Sequence, residues 1–405
     1  MKNKKIIYKN FIQNKYLDQK LNKKYKKAYS EIFDKIKTRL DTIKDTLHLL
    51  SGKFKLNFKT KDLKKFKKFN TVAIVGMGGS ILGSEAIYNF LKKKIKKNFI
   101  FFNNINEDEL IELKKTQKFN KILFIFISKS GDTIESLSNI LALNIIKKSS
   151  KNIIIISERK NNLFYLLSKK MKLFHIEHKS YIGGRYSVLS EVGMVPAYLM
   201  GLNILNIRKN LSNHFNLKNK YFLKESSIKL ATLFQTNKFR NLIFFNYAPR
   251  LDKFLYWNQQ LIAESLGKKG KGFLPSISPA PRDHHSLLQL YLDGPKDKLF
   301  YIFSENIDNK KKLNSKILGK KFDFLNRKSL SEIKTAQKNA FIKILKKKKI
   351  PFREFKIGDF TEKNLGEMFA YFILETAIIG KLTNINPFDQ PAVEQVKINT
   401  KKLLV

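Results

Sequence analysis

Two segments of this chain combine residue types that bind phosphate. The first, TVAIVGMGGSILG, spans Thr71–Gly83, and the second, KILFIFISKSGDTIES, spans Lys121–Ser136. Each is an apolar, β-branched run that ends in small or hydroxyl-bearing residues and then enters a predicted helix. Backbone N–H groups and hydroxyls at such a helix entry bind phosphate oxygens. One such loop is a weak signal, but two within one stretch of alternating strands and helices predict a phosphorylated small molecule as the ligand.

The first loop contains three glycines, at Gly76, Gly78 and Gly79. They do not complete a dinucleotide-binding fingerprint, because Ile81 stands where a third glycine or an alanine is required. The next predicted strand ends in Asn103-Asn104, without the acidic residue that would hold a ribose. A tight turn with positive φ accounts for one of the glycines. Ser80 is either an ordinary helix N-cap or a phosphate ligand.

The second loop carries hydroxyls over one helix entry, at Ser128, Ser130, Thr133 and Ser136. Hydroxyl-rich loops are common, so composition alone leaves a structural role open. Its position at the carboxyl end of an apolar strand favours function, because ligands of open α/β sheets bind there.

Composition sets wide limits on the class of protein. At 405 residues the chain is longer than a single core usually becomes, so we expect two domains. The net charge of +47, from 80 Lys and Arg against 33 Asp and Glu, is compatible with nucleic-acid binding. The lysines are scattered, however, and no recognition motif for nucleic acid is present, so we attribute the charge to compositional drift. The absence of cysteine excludes disulfides, thiolate metal sites and cysteine nucleophiles.

The apolar pattern predicts an α/β protein with a parallel, doubly wound sheet, because near-continuous apolar strands alternate with helices from about residue 70. Predicted strands lie at Val72–Val75, Phe99–Phe102, Ile122–Ile127, Ile153–Ile156, Leu242–Phe245, Leu299–Phe303 and Phe352–Ile357. Predicted helices lie at 80–94, 107–117, 132–147, 160–171, 222–236, 251–266, 330–347, 362–380 and 391–402, and another leads to about 205. Apolar residues at helical spacing predict a peripheral helical segment before about residue 65.

The N-terminal sequence MKNKKIIYKNFIQNKY is basic but lacks the long apolar stretch and the cleavage site of a secretion signal. No segment approaches the roughly 20 apolar residues of a membrane-spanning helix. We therefore expect a cytoplasmic protein without a membrane partner.

Six motifs give the chain a resemblance to the glucose-6-phosphate isomerase family of aldose–ketose isomerases. They are GMGGS at 76–80, SKSGDT at 128–133, GGRYS at 183–187, AESLGK at 263–268, DHHSLLQLYLDGP at 283–295, and NPFDQ at 386–390 leading to Lys397. Each motif alone is modest evidence, but six in the family order over most of the chain are strong evidence. The short length resembles the compact bacterial branch of the family.

The resemblance implies two doubly wound sugar-isomerase (SIS-type) α/β domains, at 66–215 and 216–360. A helical segment at 1–65 precedes them, and a second one at 361–405 packs on the active site. The implied reaction is the interconversion of D-glucose 6-phosphate and D-fructose 6-phosphate through a cis-enediolate, in glycolysis and gluconeogenesis, with no metal and no cofactor. A homodimer is also implied, because the family's histidine reaches the neighbouring subunit's site.

Four residues carry the chemistry that the resemblance implies. Glu264 is the base that moves a proton between C2 and C1, and Arg185 stabilises the enediolate with a planar, always-charged guanidinium. His285 and Lys397 act near the ring oxygen, and histidine suits ring opening because it exchanges protons near neutral pH. A helix-capping role remains open for the adjacent His284. Without the motifs, a helix surface would be the ordinary place for Glu264.

Substrate binding is implied for a larger set: Gly79, Ser80, Ser128, Lys129, Ser130, Thr133, Ser136 and Gln390. All but Gln390 lie in the two phosphate loops, and Gln390 would contact the sugar. Gly131-Asp132 departs from the common family pattern, because many relatives have bulkier or hydroxyl residues there. Asp132 would repel a phosphate unless it caps a helix or points away.

Two other functions remain as alternatives. A non-catalytic sugar-phosphate sensor on the same fold would keep the hydroxyl loops but could lack Glu264, Arg185 or the histidine, and all three are present. A nucleic-acid-binding protein would bind random DNA tightly and with steep salt dependence. We expect no specific nucleic-acid partner.

Overall fold

The computed structural model describes residues 6–215, 217–306 and 311–404, apart from the side chains of 217–220. These residues form two five-stranded sheets surrounded by helices. The strands are β1 (Ile6–Asn10), β2 (Thr71–Val75), β3 (Asn98–Phe102), β4 (Ile122–Ile127), β5 (Ile153–Ser157), β6 (Phe174–Glu177), β7 (Asn241–Asn246), β8 (Leu274–Pro279), β9 (Lys298–Glu305) and β10 (Phe352–Ile357). The α-helices are α1 (Gln19–Arg39), α2 (Thr60–Leu63), α3 (Leu82–Leu91), α4 (Glu107–Thr116), α5 (Ile134–Leu143), α6 (Leu163–Lys170), α7 (Glu191–Leu199), α8 (Ile204–Arg208), α9 (Leu217–Thr236), α10 (Asp252–Leu266), α11 (Leu288–Asp293), α12 (Leu330–Lys347), α13 (Glu362–Leu382) and α14 (Val393–Leu403). No helix in the described part of the chain has the length and apolarity needed to cross a membrane.

The first sheet is parallel throughout, with the strand order β3-β2-β4-β5-β6. Its inner strands are continuous apolar runs because both faces of the sheet are covered, and every residue of β4 is buried. The strand order reverses at β2, which lies between β3 and β4. Such a switch point opens a crevice at the carboxyl ends of the strands, where ligands of α/β sheets bind. Both predicted phosphate loops begin at this switch point.

The second sheet repeats the arrangement in its parallel part, with the order β8-β7-β9-β10. Strand β1 is added at the outer edge, antiparallel to β10. The predicted class, α/β with two doubly wound units, is confirmed by this topology. The domain limits 66–215 and 216–360 remain predictions; each range contains the parallel strands of one sheet.

The prediction of a purely helical segment before residue 65 is wrong for β1. Ile6 pairs with Ile357 in β10, and this partner is too distant in the sequence for any local pattern to reveal. Strands β6 and β8 were also not predicted. β6 has only four residues and lies at a sheet edge. β8 contains Pro275 and Pro279, which an edge strand accommodates because one side of it makes no ladder hydrogen bonds.

Helix α13 is buried along nearly its whole length and packs against α8, α9 and α10. A helix that is apolar on all sides is expected inside a protein, not on its surface. A Cβ on Gly366 would lie 1.7 Å from the carbonyl oxygen of Ile207, so the close contact with α8 requires glycine. Glu375 pairs with the buried Arg353 of β10 at 2.8 Å. A charge pair therefore ties α13 to the second sheet in addition to apolar packing.

The stability of this fold is expected to fall in mild acid, because two histidines are buried in the neutral form. Burial lowers the pKa of His178 and His214 to about 4, and each side chain is only 2% exposed. In the unfolded chain the histidine pKa is about 6.5. Between these values the unfolded state binds protons that the folded state does not, so the free energy of unfolding decreases as the pH falls. The decrease approaches about 1.4 kcal/mol per pH unit for each histidine and ends below the folded pKa.

Urea unfolding between about pH 7 and pH 5 measures this dependence, and most carboxylates remain ionised over that window. A free energy of unfolding that stays constant across it would contradict the expectation.

Candidate active site

Two glycine-containing turns pack against each other and place the predicted arginine. The turn Gly78–Ser80 follows β2 and contacts the turn Gly184–Leu189. A Cβ on Gly79 would lie 2.2 Å from the carbonyl carbon of Gly184, so only glycine permits this approach. The first phosphate loop is therefore held directly against the backbone that precedes Arg185.

The outcome for the other residues of the first loop is mixed. Gly78 has φ of +51°, which confirms that a tight turn requires one of the glycines. The N-cap interpretation of Ser80 is wrong, because a 3-10 turn separates β2 from α3 and Ile81 occupies the N-cap position. Ser80 is half-buried beside the switch point, and its role in substrate binding remains a prediction.

Arg185 is only 3% exposed, and its guanidinium connects three segments of the chain. Nε donates to Ser265 Oγ at 2.8 Å, Nη1 donates to Gln390 Oε1 at 2.5 Å and to Glu264 Oε2 at 3.3 Å, and Nη2 donates to the carbonyl oxygens of Pro387 at 2.7 Å and Asp389 at 2.9 Å. A planar fork of donors suits this set of acceptors. The structure therefore brings three predicted site residues, Arg185, Glu264 and Gln390, into direct contact.

Glu264 lies in the last turn of α10 with 28% of its side chain exposed. While one carboxylate oxygen accepts from Arg185, the other accepts from Gln260 Nε2 at 2.9 Å. The carboxylate is thus held in one orientation and still reaches solvent. Gln260 was not predicted, although its position four residues before Glu264 places both on the same helix face. It also packs against the first loop, because a Cβ on Gly78 would lie 2.7 Å from its Nε2.

Further side chains within the motifs support the arginine and had no predicted role. The Tyr186 hydroxyl is 2.8 Å from both Ser265 Oγ and the carbonyl oxygen of Pro387. Burial raises the pKa of Tyr186, so its hydroxyl stays protonated and can donate. Lys268 pairs with Asp389 at 2.6 Å. These contacts join GGRYS, AESLGK and NPFDQ into one unit, and no local sequence pattern specifies them.

The hydroxyl loop lies at the carboxyl end of β4. Ser128 Oγ is 2.9 Å from Thr133 Oγ1 and accepts from the N–H of Gly131 at 3.1 Å. Ser136 is buried, and its hydroxyl has no hydrogen-bond partner among the described residues. Thr133 is the N-cap of α5, and its side chain makes no capping bond. The amides of the first turn of α5 are therefore available to an anion.

Lys129 belongs to the same loop and contacts two neighbouring groups. Its ammonium donates to the carbonyl oxygen of Ser180 at 2.8 Å and lies 3.6 Å from the carboxylate of Glu158. Burial lowers the pKa of Lys129, Glu158 partly offsets the shift, and the positive charges of Lys160 and Arg185 add to it. The Lys129 ammonium is therefore held at the loop by a carbonyl oxygen and a carboxylate.

The two neighbouring histidines have different surroundings. His284 stacks on Phe245 with ring centroids 5.5 Å apart, and its Nε2 is 2.6 Å from the Tyr247 hydroxyl. This packing, and not helix capping, accounts for His284, and burial lowers its pKa. The side chain of His285 is exposed. Among the described residues, no hydrogen bond or ion pair joins His285 to Arg185 or Glu264.

Lys397 is not joined to the other site residues within one chain. It lies on α14 with 53% of its side chain exposed and pairs with Glu394 on the same helix at 3.2 Å. Every described residue of α14 is exposed or half-buried. The role of Lys397 therefore remains a prediction from the motif.

The chain combines two doubly wound units, a carboxylate held against a guanidinium, and a hydroxyl-rich loop. These features define a protein of the sugar-isomerase class. The phosphoglucose isomerase family matches residues 22–404, and the chain belongs to that family. The resemblance inferred from the six motifs is thereby confirmed.

Individual relatives agree with this membership. The chain is 29% identical over 356 residues to the glucose-6-phosphate isomerase of Methanocaldococcus jannaschii, which covers 83% of this chain and 86% of that protein. It is 30% identical over 365 residues to the glucose-6-phosphate isomerase of Mycoplasmopsis pulmonis, covering 85% of each. The solved structure of a glucose-6-phosphate isomerase from Chlamydia trachomatis has the same fold, with a TM-score of 0.78, 17% identity and coverage of 99% of this chain and 88% of that one.

Proposed function

We propose that this chain interconverts D-glucose 6-phosphate and D-fructose 6-phosphate. The contact that carries the proposal is the 3.3 Å approach of Glu264 Oε2 to Arg185 Nη1, which also binds Gln390. Moving hydrogen between C2 and C1 of a sugar requires a base, because the carbon acid is weak, and a cation for the enediolate oxygen. Glu264 supplies the base and Arg185 supplies the cation, and family membership supplies the substrate class.

In the proposed reaction the Glu264 carboxylate removes the C2 proton of the open-chain aldose. The C–H electron pair forms the C1–C2 double bond, and the carbonyl π pair moves to O1 as the enediolate charge. Arg185 stabilises this charge. The C2 hydroxyl proton passes to O1, which leaves the charge on O2. The same carboxyl group then returns its proton to C1 while an O2 electron pair forms the C2 carbonyl, so no group is consumed. A positioned base typically contributes roughly 10² to 10⁴ in rate.

The phosphate of the substrate binds at the hydroxyl loop in this proposal. Ser128, Ser130, Thr133 and Ser136 provide hydroxyls, Lys129 provides charge, and Gly79 and Ser80 complete the cradle from the neighbouring loop. The open first turn of α5 supports this placement, because uncapped amides attract an anion. In this proposal a phosphate held at the switch point keeps the sugar carbons beside Glu264 and reduces the entropy that the reaction must lose.

We further propose a cytoplasmic homodimer in which His285 opens the sugar ring in the neighbouring subunit, together with that subunit's Lys397. The exposure of His285 supports a role across an interface. Its partner would come from a second copy of the chain, as in many two-fold symmetric enzymes.

A coupled assay tests the proposed function. The purified chain is supplied with fructose 6-phosphate, and glucose 6-phosphate is detected through a dehydrogenase that reduces NADP. Turnover is expected. Binding of the sugar phosphate without turnover would indicate the sensor instead.

Mixing two inactive variants is expected to restore activity if His285 serves the neighbouring site. Glu264→Gln and His285→Ala homodimers are each expected to be nearly inactive. After subunit exchange, half of the dimers are mixed, and one site in each mixed dimer has both an intact Glu264 and an intact His285. About a quarter of wild-type activity is therefore expected. Activity that stays at the level of the separate variants after confirmed exchange would place His285 in its own subunit's site or outside catalysis.

A further inference from the structure

The hydroxyl loop contains a carboxylate, Asp132, directly before the N-cap residue of α5. Two like charges at close range repel, although solvent weakens the repulsion for an exposed group such as Asp132. An acid at this position therefore opposes the binding of a phosphate unless its charge is directed elsewhere. The structure shows where it is directed: Asp132 Oδ1 accepts a hydrogen bond at 3.0 Å from the N–H of Leu163, the first residue of α6.

Two helix N-termini thus lie on either side of this loop and differ in how they are capped. At α6, Asn162 Oδ1 accepts from the N–H of Tyr165 at 2.9 Å, and Asp132 accepts from Leu163. The positive end of the α6 dipole stabilises the Asp132 charge. At α5, the N-cap Thr133 makes no side-chain capping bond. The Asp132 carboxylate therefore caps the N-terminus of α6, and the N-terminus of α5 stays without a side-chain cap.

The glycine before Asp132 makes this arrangement sterically feasible. Gly131 has φ of +73°, and a Cβ there would lie 2.0 Å from Asn162 Oδ1. Asn162 is itself tied to the end of β5, because its Nδ2 donates to the carbonyl oxygen of Glu158 at 3.0 Å. Gly131 lets the loop approach α6, and Asp132 fastens it there.

We propose that Asp132 is a positioning residue for phosphate binding. Its bond to Leu163 anchors the loop against α6, keeps the first-turn amides of α5 free, and turns its own charge away from the phosphate. This role rests on the proposed function, in which the substrate phosphate binds at residues 128–136. It requires no contact between Asp132 and the substrate.

Two substitutions distinguish the capping bond of Asp132 from the effect of its negative charge. Asp132→Ala removes the oxygen that caps α6 and so loosens the loop. A loosened loop weakens the binding of substrate and transition state alike, so the KM for fructose 6-phosphate is expected to rise about tenfold and kcat to stay within about twofold of wild type. Asp132→Asn keeps an oxygen that can cap Leu163 and removes the charge, so KM is expected at or below the wild-type value. A wild-type KM in Asp132→Ala, or an equally raised KM in Asp132→Asn, would overturn the proposal.

Asp18→Ala is the matched control, because Asp18 Oδ1 caps α1 by accepting from the N–H of Leu21 at 2.8 Å. Both alanine variants are expected to lower the melting temperature, and only Asp132→Ala is expected to raise KM. A KM raised equally in Asp18→Ala would assign the effect to general destabilisation and overturn the proposal.

Binding of inorganic phosphate, measured by titration calorimetry, separates this inference from the proposed function. The dissociation constant is expected to rise in Asp132→Ala and to remain near wild type in Asp132→Asn and Asp18→Ala. If the wild-type chain shows this phosphate pattern but no isomerase turnover, the proposed function fails and the role of Asp132 stands. If the wild type turns over substrate and all variants bind phosphate equally, the role of Asp132 fails and the proposed function stands.

Discussion

Glu264→Gln is expected to lower kcat by about 10³-fold and to leave KM within about twofold of wild type. The amide cannot take the C2 proton, but it keeps the size of the side chain and an oxygen for Arg185 Nη1. The fold should tolerate the new amide N–H, because Gln260 Oε1 is buried without a partner among the described residues. Reversal of the Gln260 amide would let this oxygen accept from residue 264. The expected loss therefore concerns the proton transfer and not the architecture.

The decisive measurement is exchange of the C2 proton of glucose 6-phosphate with solvent, followed by NMR in deuterated water. Exchange is expected in the wild type and absent in Glu264→Gln, while sugar-phosphate binding persists. Glu31→Gln is the matched control, because Glu31 is an exposed helix residue paired with Lys35 at 2.6 Å. That control should retain wild-type exchange. Exchange that persists in Glu264→Gln would remove Glu264 from the role of base.

Arg185→Lys is expected to lower kcat by about 10² to 10³, although the positive charge is kept. A lysine ammonium has three donors and no planar fork, so it cannot serve the five acceptors that surround the guanidinium. The enediolate would then lose a preorganised donor. The carbonyl oxygens of Pro387 and Asp389 would each lose an Arg185 donor, although the Tyr186 hydroxyl still donates to Pro387, and a lost hydrogen bond costs about 0.5 to 1.5 kcal/mol. A lower melting temperature is therefore expected along with the lower kcat.

Arg208→Lys distinguishes these two effects. Arg208 also donates to backbone carbonyl oxygens, those of Leu49 and Leu189, but it makes no contact with Glu264 or Gln390 among the described residues. Its replacement should lower the melting temperature without a comparable loss of kcat. Kinetics measured well below both melting temperatures test this. A similar loss of kcat in the two variants would attribute the Arg185 effect to loosened structure.

The elements that the sequence predicted best are those whose environment is uniform along their length. Strand β4 and helix α12 have the predicted bounds, because a buried strand such as β4 is apolar throughout and the apolar residues of a half-buried helix recur at each turn. Strand β10 also has the predicted bounds, although three of its six residues are charged. Strand β1 was missed because its pairing partner, β10, lies at the other end of the chain. Edge strands such as β8 are also difficult to predict from sequence, because the side without ladder hydrogen bonds accommodates prolines, which usually end a strand.

The same division applies to the candidate site. The motifs predicted Glu264, Arg185, Gln390 and the hydroxyl loop through the family resemblance, and the structure brings the first three into contact. Supporting residues such as Gln260 and Ser265 were not identified, although both lie on the helix that carries Glu264. Their roles follow from partners in three dimensions, as when Ser265 accepts from Arg185, 80 residues away in the chain.

The sequence by itself determined the family, the α/β class and the residue types able to move a proton and hold a phosphate. The tertiary structure decided which partner each of these groups has. Asp132, which the sequence leaves as a possible source of repulsion, caps α6, and His284 packs in a core beside Phe245. The physical reason is that composition and periodicity report the average environment of a residue. Hydrogen bonds and ion pairs depend on single interatomic distances, which exist only when remote segments fold together.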